Sequence, residues 1–270
     1  LIVKREEEYE FAHLSFQEFL AAKQIKETKQ EQLLLDNWQS QWWRGTILLY
    51  VALVNPTSLI RSLIALNNEE ATTLALRCLE ETPRKIAPAI KASVQNQLYQ
   101  PLETYLKNGQ WQKADQETSR VILKVAAREE QGCLNVDSIE KFPCEDLRKI
   151  DRLWVKYSST EDYPEGKFGF SVQKRIWEKV GSPRVDAPKE MWREFYIIVG
   201  WKAETSGTEN GWGYMNPQNL EGYNRIEDVP NGYFPATLYT TERNENEQRG
   251  AHPLYSSLFS RMHRENICNL

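Results

Sequence analysis

Apolar positions recur at helical spacing along the chain up to about residue 200. Ser15-x-x-Glu18 has the form of a capping box and predicts a helix to about Glu27, with Phe16, Phe19 and Leu20 on one side. Trp42 to Val54 is apolar nearly all round, which predicts a buried helix. Asn55-Pro56 then supplies a cap and a first-turn proline ahead of Leu59, Ile60, Leu63 and Ile64. Leu74, Leu76, Cys78 and Leu79 repeat the pattern between Glu69 and Glu81. Short helices joined by tight polar connections predict a small helical bundle.

Pro83, Pro88 and Pro101 punctuate the next stretch and mark the expected domain junction. From Trp111 to Arg128, Ala114, Thr118, Val121, Ile122, Val125 and Ala126 fall three and four apart and predict one apolar stripe. Asp137 is the expected cap of a short turn. Pro143 starts a helix carrying Leu147, Ile150, Trp154 and Tyr157, and Ser171 caps another that Gly181 ends. Further helices are expected from Pro188 to about Val199 and from about Pro253 to Arg264. The predicted class is all-α.

Between Gly200 and Pro235 the periodicity stops, and six of the 13 glycines lie there. Compact domains seldom hold unstructured segments beyond about 12–15 residues unless these bind something or are disordered. Residues 192–239 hold 10 of the 30 aromatics, a density that disordered segments lack. A folded, aromatic-rich loop region is expected. Trp201, Trp212, Tyr214, Tyr223, Tyr233 and Phe234 suit a cleft for a large planar ligand, although each is also the ring that anchors a core. The guanidinium forks of Arg243 and Arg249 suit carboxylate arms on such a ligand; solvated surface charge is the plainer alternative. Leu134, with Phe168 and Phe170 of a Phe-Gly-Phe turn, completes the candidate set.

Composition narrows the function classes. Net charge is −4, so no concentrated basic field favours nucleic acid. The longest purely apolar run, Ile47 to Val54, is far short of the roughly 20 residues of a membrane span. The four cysteines form no Cys-x-x-Cys pair and are expected as reduced thiols in a cytoplasmic protein. His13, His252 and His263 are isolated from ligand spacing, and neither a nucleophile elbow nor a phosphate loop occurs. A binding protein is expected rather than an enzyme.

The residues Tyr105-Leu106-Lys107-Asn108-Gly109-Gln110-Trp111-Gln112-Lys113-Ala114-Asp115, then Phe142-Pro143, Ile150-Asp151-x-Leu153-Trp154, Phe168-Gly169-Phe170-Ser171-Val172-Gln173 and Val199-Gly200-Trp201, resemble the Genomes Uncoupled Four family over about 102–270. The resemblance implies a cupped helical domain that binds a tetrapyrrole, protoporphyrin IX or Mg-protoporphyrin IX, and regulates magnesium chelatase. Two departures are visible. Thr160 to Glu165 is inserted, and Val229-Pro230-Asn231-Gly232-Tyr233-Phe234-Pro235 puts tyrosine and phenylalanine where many relatives have histidine and leucine, at the expected floor or rim of the pocket.

Glu10-Phe11-Ala12-His13-Leu14-Ser15-Phe16-Gln17-Glu18-Phe19-Leu20-Ala21-Ala22 is similar to the closing segment of a NACHT-type signalling ATPase. That resemblance implies a winged-helix end at 1–28, a helical linker bundle at 29–95 and the tetrapyrrole-binding domain at 96–270. It also implies an upstream ATPase through which the protein self-assembles. The alternatives are a protein-interaction module that keeps the fold without pigment, and a carrier of porphyrin to the chelatase.

Overall fold

The computed structural model describes residues 2–5, 8–11, 13–184, 186–204, 212–214, 226–236 and 252–263. Two short antiparallel hairpins aside, its elements are helical, and the chain divides into two compact units, Leu1–Gln100 and Pro101–Leu270.

In the first unit, strands β1 (Ile2–Arg5) and β2 (Glu8–Phe11) pair with Ile2 opposite Phe11. Helices α1 (Leu14–Thr28), α2 (Gln32–Asp36), α3 (Gln41–Leu53), α4 (Thr57–Ala65) and α5 (Glu69–Glu81) follow. Their shared core is Ala22, Ile25, Ile47, Val51, Leu59, Ile60, Leu63, Leu74 and Cys78. Helix α1 departs from expectation. It begins beyond His13 without a side-chain cap, so Ser15 lies inside it, and Phe16, Phe19 and Leu20 stay exposed while Ala22 and Ile25 face the core. Helix α3 is not buried all round either, since Trp42 is 61% exposed. Glu31 ties the unit's connections together, accepting from Tyr50 Oη at 3.1 Å and Ser58 Oγ at 2.7 Å.

Pro83 lies in the connection after α5, and from Pro88 the chain is a helix, α6 (Pro88–Lys107), with Pro101 inside it. Pro88 occupies the first turn, where a missing N–H leaves no bond unmade. Reading all three prolines as breaks overlooked the apolar positions Ile90, Val94, Leu98, Leu102 and Leu106, all buried.

In the second unit, α7 (Trp111–Val125), α8 (Val136–Lys141), α9 (Cys144–Ser158), α10 (Phe170–Lys179), α11 (Lys189–Ile198) and α12 (His252–His263) carry the core. Strands β3 (Lys202–Glu204) and β4 (Trp212–Tyr214) form the second hairpin. The expected stripe on α7 is present: Ala114, Thr118, Val121, Ile122 and Val125 are buried. Cys78 and Cys133 are free thiols, burial pushing Cys78 up to about 12. Cys144 is disulfide-bonded, which corrects the expectation of four reduced thiols.

Residues 229–236 form a strap through the middle of this unit, with Val229, Tyr233, Phe234 and Ala236 buried. A buried loop must satisfy its own backbone. Gln173 Nε2 donates to the carbonyls of Gly232 and Pro235 at 2.9 and 2.8 Å. Trp201 Nε1 donates to Tyr233 O at 2.8 Å, and Asp115 Oδ1 accepts the Ala236 N–H at 2.7 Å. The Gly169 N–H reaches Phe234 O, and the Gly232 N–H reaches Lys167 O, both at 2.9 Å. Gly232 has φ +76, and an added Cβ would stand 2.8 Å from Ile176, so only glycine fits that turn.

Gln173→Ala removes the donor shared by two strap carbonyls. It is expected to cost about 2–4 kcal/mol in denaturant unfolding. A loss below about 0.5 kcal/mol would show that the strap does not depend on that amide.

Candidate functional site

The rings of the second unit gather into two buried clusters. In the first, Trp154 stacks on Phe234 (centroids 5.6 Å, 19°) and on Trp111 (6.3 Å, 28°), while Phe168 meets Phe234 edge-on at 5.4 Å. Trp154 Nε1 donates to Thr118 Oγ1 at 3.0 Å, so the one polar atom of this ring is matched inside the core. In the second cluster, Trp201 lies 5.0 Å from Tyr255 and 5.9 Å from Phe195. Phe168, Trp201, Tyr233 and Phe234 are all fully buried and offer no free face in this conformation.

A small apolar hollow of about 20 Å³ lies elsewhere, lined by Ile122, Leu134, Ile139, Phe142, Leu147, Phe170 and Leu258. Five helices build it. Helix α7 contributes Ile122 from its buried stripe. Arg128 Nε holds the Cys133 carbonyl at 2.9 Å, fixing the turn that delivers Leu134. Asn135 and Ser138, not Asp137, form the capping box of α8, which sets the direction of Ile139. Phe142 ends α8, and extended Pro143 starts α9, which places Leu147. Leu258 comes from α12.

Phe170 is positioned less locally. Helix α10 begins after Gly169, whose φ of +138 suits glycine alone, and Ser171 does not cap it. The carboxylate of Asp151, on α9, accepts the Ser171 N–H at 2.8 Å instead. Burial raises the Asp151 pKa above its usual value, with the Ser171 hydrogen bonds opposing it in part.

Of the candidates from sequence, Leu134 and Phe170 therefore share the hollow, whereas Phe168, Trp201, Tyr233 and Phe234 sit in the core around the strap. Trp212 and Tyr214 lie in β4. Tyr223, Arg243 and Arg249 lie outside the described residues. Ile122, Ile139, Phe142, Leu147 and Leu258 were absent from the candidate set, because an aliphatic residue that lines a hollow reads like one that fills a core. Among the described residues no group of three or more His, Cys, Asp or Glu is placed to hold a metal ion. No helix among them is long and apolar enough to cross a membrane.

A helical domain whose concavity is lined only by apolar side chains, with its polar groups turned to holding the scaffold, has the form of a binding module. The chain belongs to the GUN4-like family, whose model matches residues 92–253. It is 28% identical over 142 residues to the chloroplastic tetrapyrrole-binding protein of Arabidopsis thaliana, covering 52% of this chain and 48% of that protein. Against the uncharacterized protein ycf53 of Porphyra purpurea it is 34% identical over 122 residues, 44% of either chain. The ligand-free structure of Arabidopsis thaliana GUN4 matches 66% of this chain and 96% of that one, at 24% identity and a TM-score of 0.42. The chain thus spans about half the length of the curated relatives it matches.

Asp151 gives a pH test of the scaffold. Its folded pKa lies above the unfolded value near 3.8, so the native state binds the proton more tightly. The stability cost of ionising it is absent below the unfolded value and grows as pH rises through the folded pKa. Asp151→Asn keeps an acceptor for the Ser171 N–H. Its stability relative to wild type is expected to improve between about pH 4 and pH 8 in paired urea titrations. A constant difference across that range would show that Asp151 is not desolvated.

Proposed function

We propose that residues 101–270 are a non-catalytic tetrapyrrole-binding module that seats a porphyrin, protoporphyrin IX or its magnesium complex, against the apolar hollow. The observation that carries this reading is the hollow itself: seven apolar side chains from separate elements converge on it, in a family that includes a protein named for tetrapyrrole binding. At about 20 Å³ it holds little more than a single water-sized sphere, far below the roughly 300–1,000 Å³ usual for small-molecule pockets, so a macrocycle enters only when the hollow opens. Full capture requires Leu258 on α12 to draw back from Phe142 and Phe170. The ligand then favours the opened form in proportion to its differential affinity. Leu134 and Phe170 touch the inserted edge, and Phe168, Trp201, Tyr233 and Phe234 hold the scaffold behind it. Trp212, Tyr214, Tyr223, Arg243 and Arg249 remain the proposed contacts of the outer edge and its carboxylates.

The wider setting we propose is regulatory. A magnesium chelatase subunit is the proposed partner. The Glu10 to Ala22 phrase, with a β-hairpin feeding directly into α1, supports a first unit derived from the tail of a NACHT-type signalling ATPase. A pigment-free interaction module is the second reading, favoured by the modest size of the hollow.

Absorbance titration with protoporphyrin IX is expected to shift the Soret band. Leu134→Phe, a modest enlargement that occupies the hollow, should weaken binding by about tenfold or more while far-UV circular dichroism is unchanged. Failure of the wild type to bind any porphyrin below about 100 μM, only about 5.5 kcal/mol, would favour the interaction module.

A further inference from the structure

We propose that Arg261 is the carboxylate anchor of the hollow, so that its ligand is an apolar molecule carrying at least one carboxylate arm. The inference rests on reading the hollow as a ligand site.

Arg261 lies three residues beyond Leu258 on α12, and both it and the hollow meet α8 through one residue: Ile139 lines the hollow, and its carbonyl accepts from Arg261 Nη1. Among the described residues the second arm of the fork, Nη2, meets only a sulfur, Cys144 Sγ at 3.6 Å. That sulfur is bridged and neutral, a weak acceptor for a charged donor. The guanidinium is half-buried, and burial lowers its pKa; Glu140, itself exposed, offsets this only partly. The side chain is therefore a partly desolvated cation whose planar fork is satisfied on one side by a backbone carbonyl. A carboxylate is the acceptor that matches the remaining donors in geometry and charge. An arm projecting from an apolar body in the hollow displaces the sulfur contact and leaves the Ile139 bond in place. Arg261 also caps the last turn of α8, so a purely structural role has to be told apart from an anchoring one.

Affinities for protoporphyrin IX and for its dimethyl ester, which keeps the ring and removes both carboxylates, make that distinction. Wild type is expected to prefer the free acid by about tenfold or more. Arg261→Gln is expected to lower that preference at least about fivefold, and Arg261→Lys, which keeps the charge without the fork, to lower it by less. A structural role weakens both ligands equally. An unchanged acid-to-ester ratio in Arg261→Gln, or in Arg261→Lys should the first variant not fold, overturns the proposal. So does a wild type that binds acid and ester alike, which would leave the porphyrin reading intact. Binding of neither probe by wild type removes the porphyrin reading and this inference together.

Discussion

The second unit depends on backbone hydrogen-bond satisfaction along residues 229–236. Six strap-directed bonds draw on α7 (Asp115), the turn before α10 (Lys167, Gly169), α10 itself (Gln173) and Trp201, three residues beyond α11. An extended segment cannot bond to itself as a helix does, so its burial is possible only where neighbours supply the donors and acceptors. Once held, the strap packs Phe234 against both Trp154 and Phe168, which also meet each other edge-on, and completes the ring cluster.

The same logic explains what the sequence made legible. The stripe on α7 was readable because Ala114, Thr118, Val121, Ile122 and Val125 repeat at helical spacing, and a buried face needs nothing else. Helix α6 was hidden because prolines are read as breaks, although Pro88 stands in a first turn. The start of α10 was misread for another reason. Ser171 looks like a cap, but the acceptor comes from Asp151, twenty residues earlier, and spacing within one helix cannot reveal it. Aromatic density marked rings that are buried where they are described, Trp192, Phe195, Tyr196, Trp201, Tyr233 and Phe234, while residues 205–211 and 215–225 lie outside the described residues. Trp201, Tyr233 and Phe234 are buried in this conformation, and composition gives such rings the same appearance in a core or a cleft wall.

The hollow has a different chemistry from the strap. Its lining is wholly apolar and is drawn from five helices, so it offers shape and desolvation but no orientation of its own. Direction has to come from charged groups at its margin.

The cap that α9 lends to α10 has a consequence for how the domain assembles. Helix α10 starts at a glycine with no capping side chain of its own, so as a ten-residue segment it is a poor autonomous nucleus. It acquires its missing acceptor only on docking with Asp151, which makes its formation a late, long-range event coupled to collapse rather than a seed for it. Phe170 arrives with that docking. The apolar hollow is thus a property of the assembled chain, and partial unfolding that separates these two helices erases it.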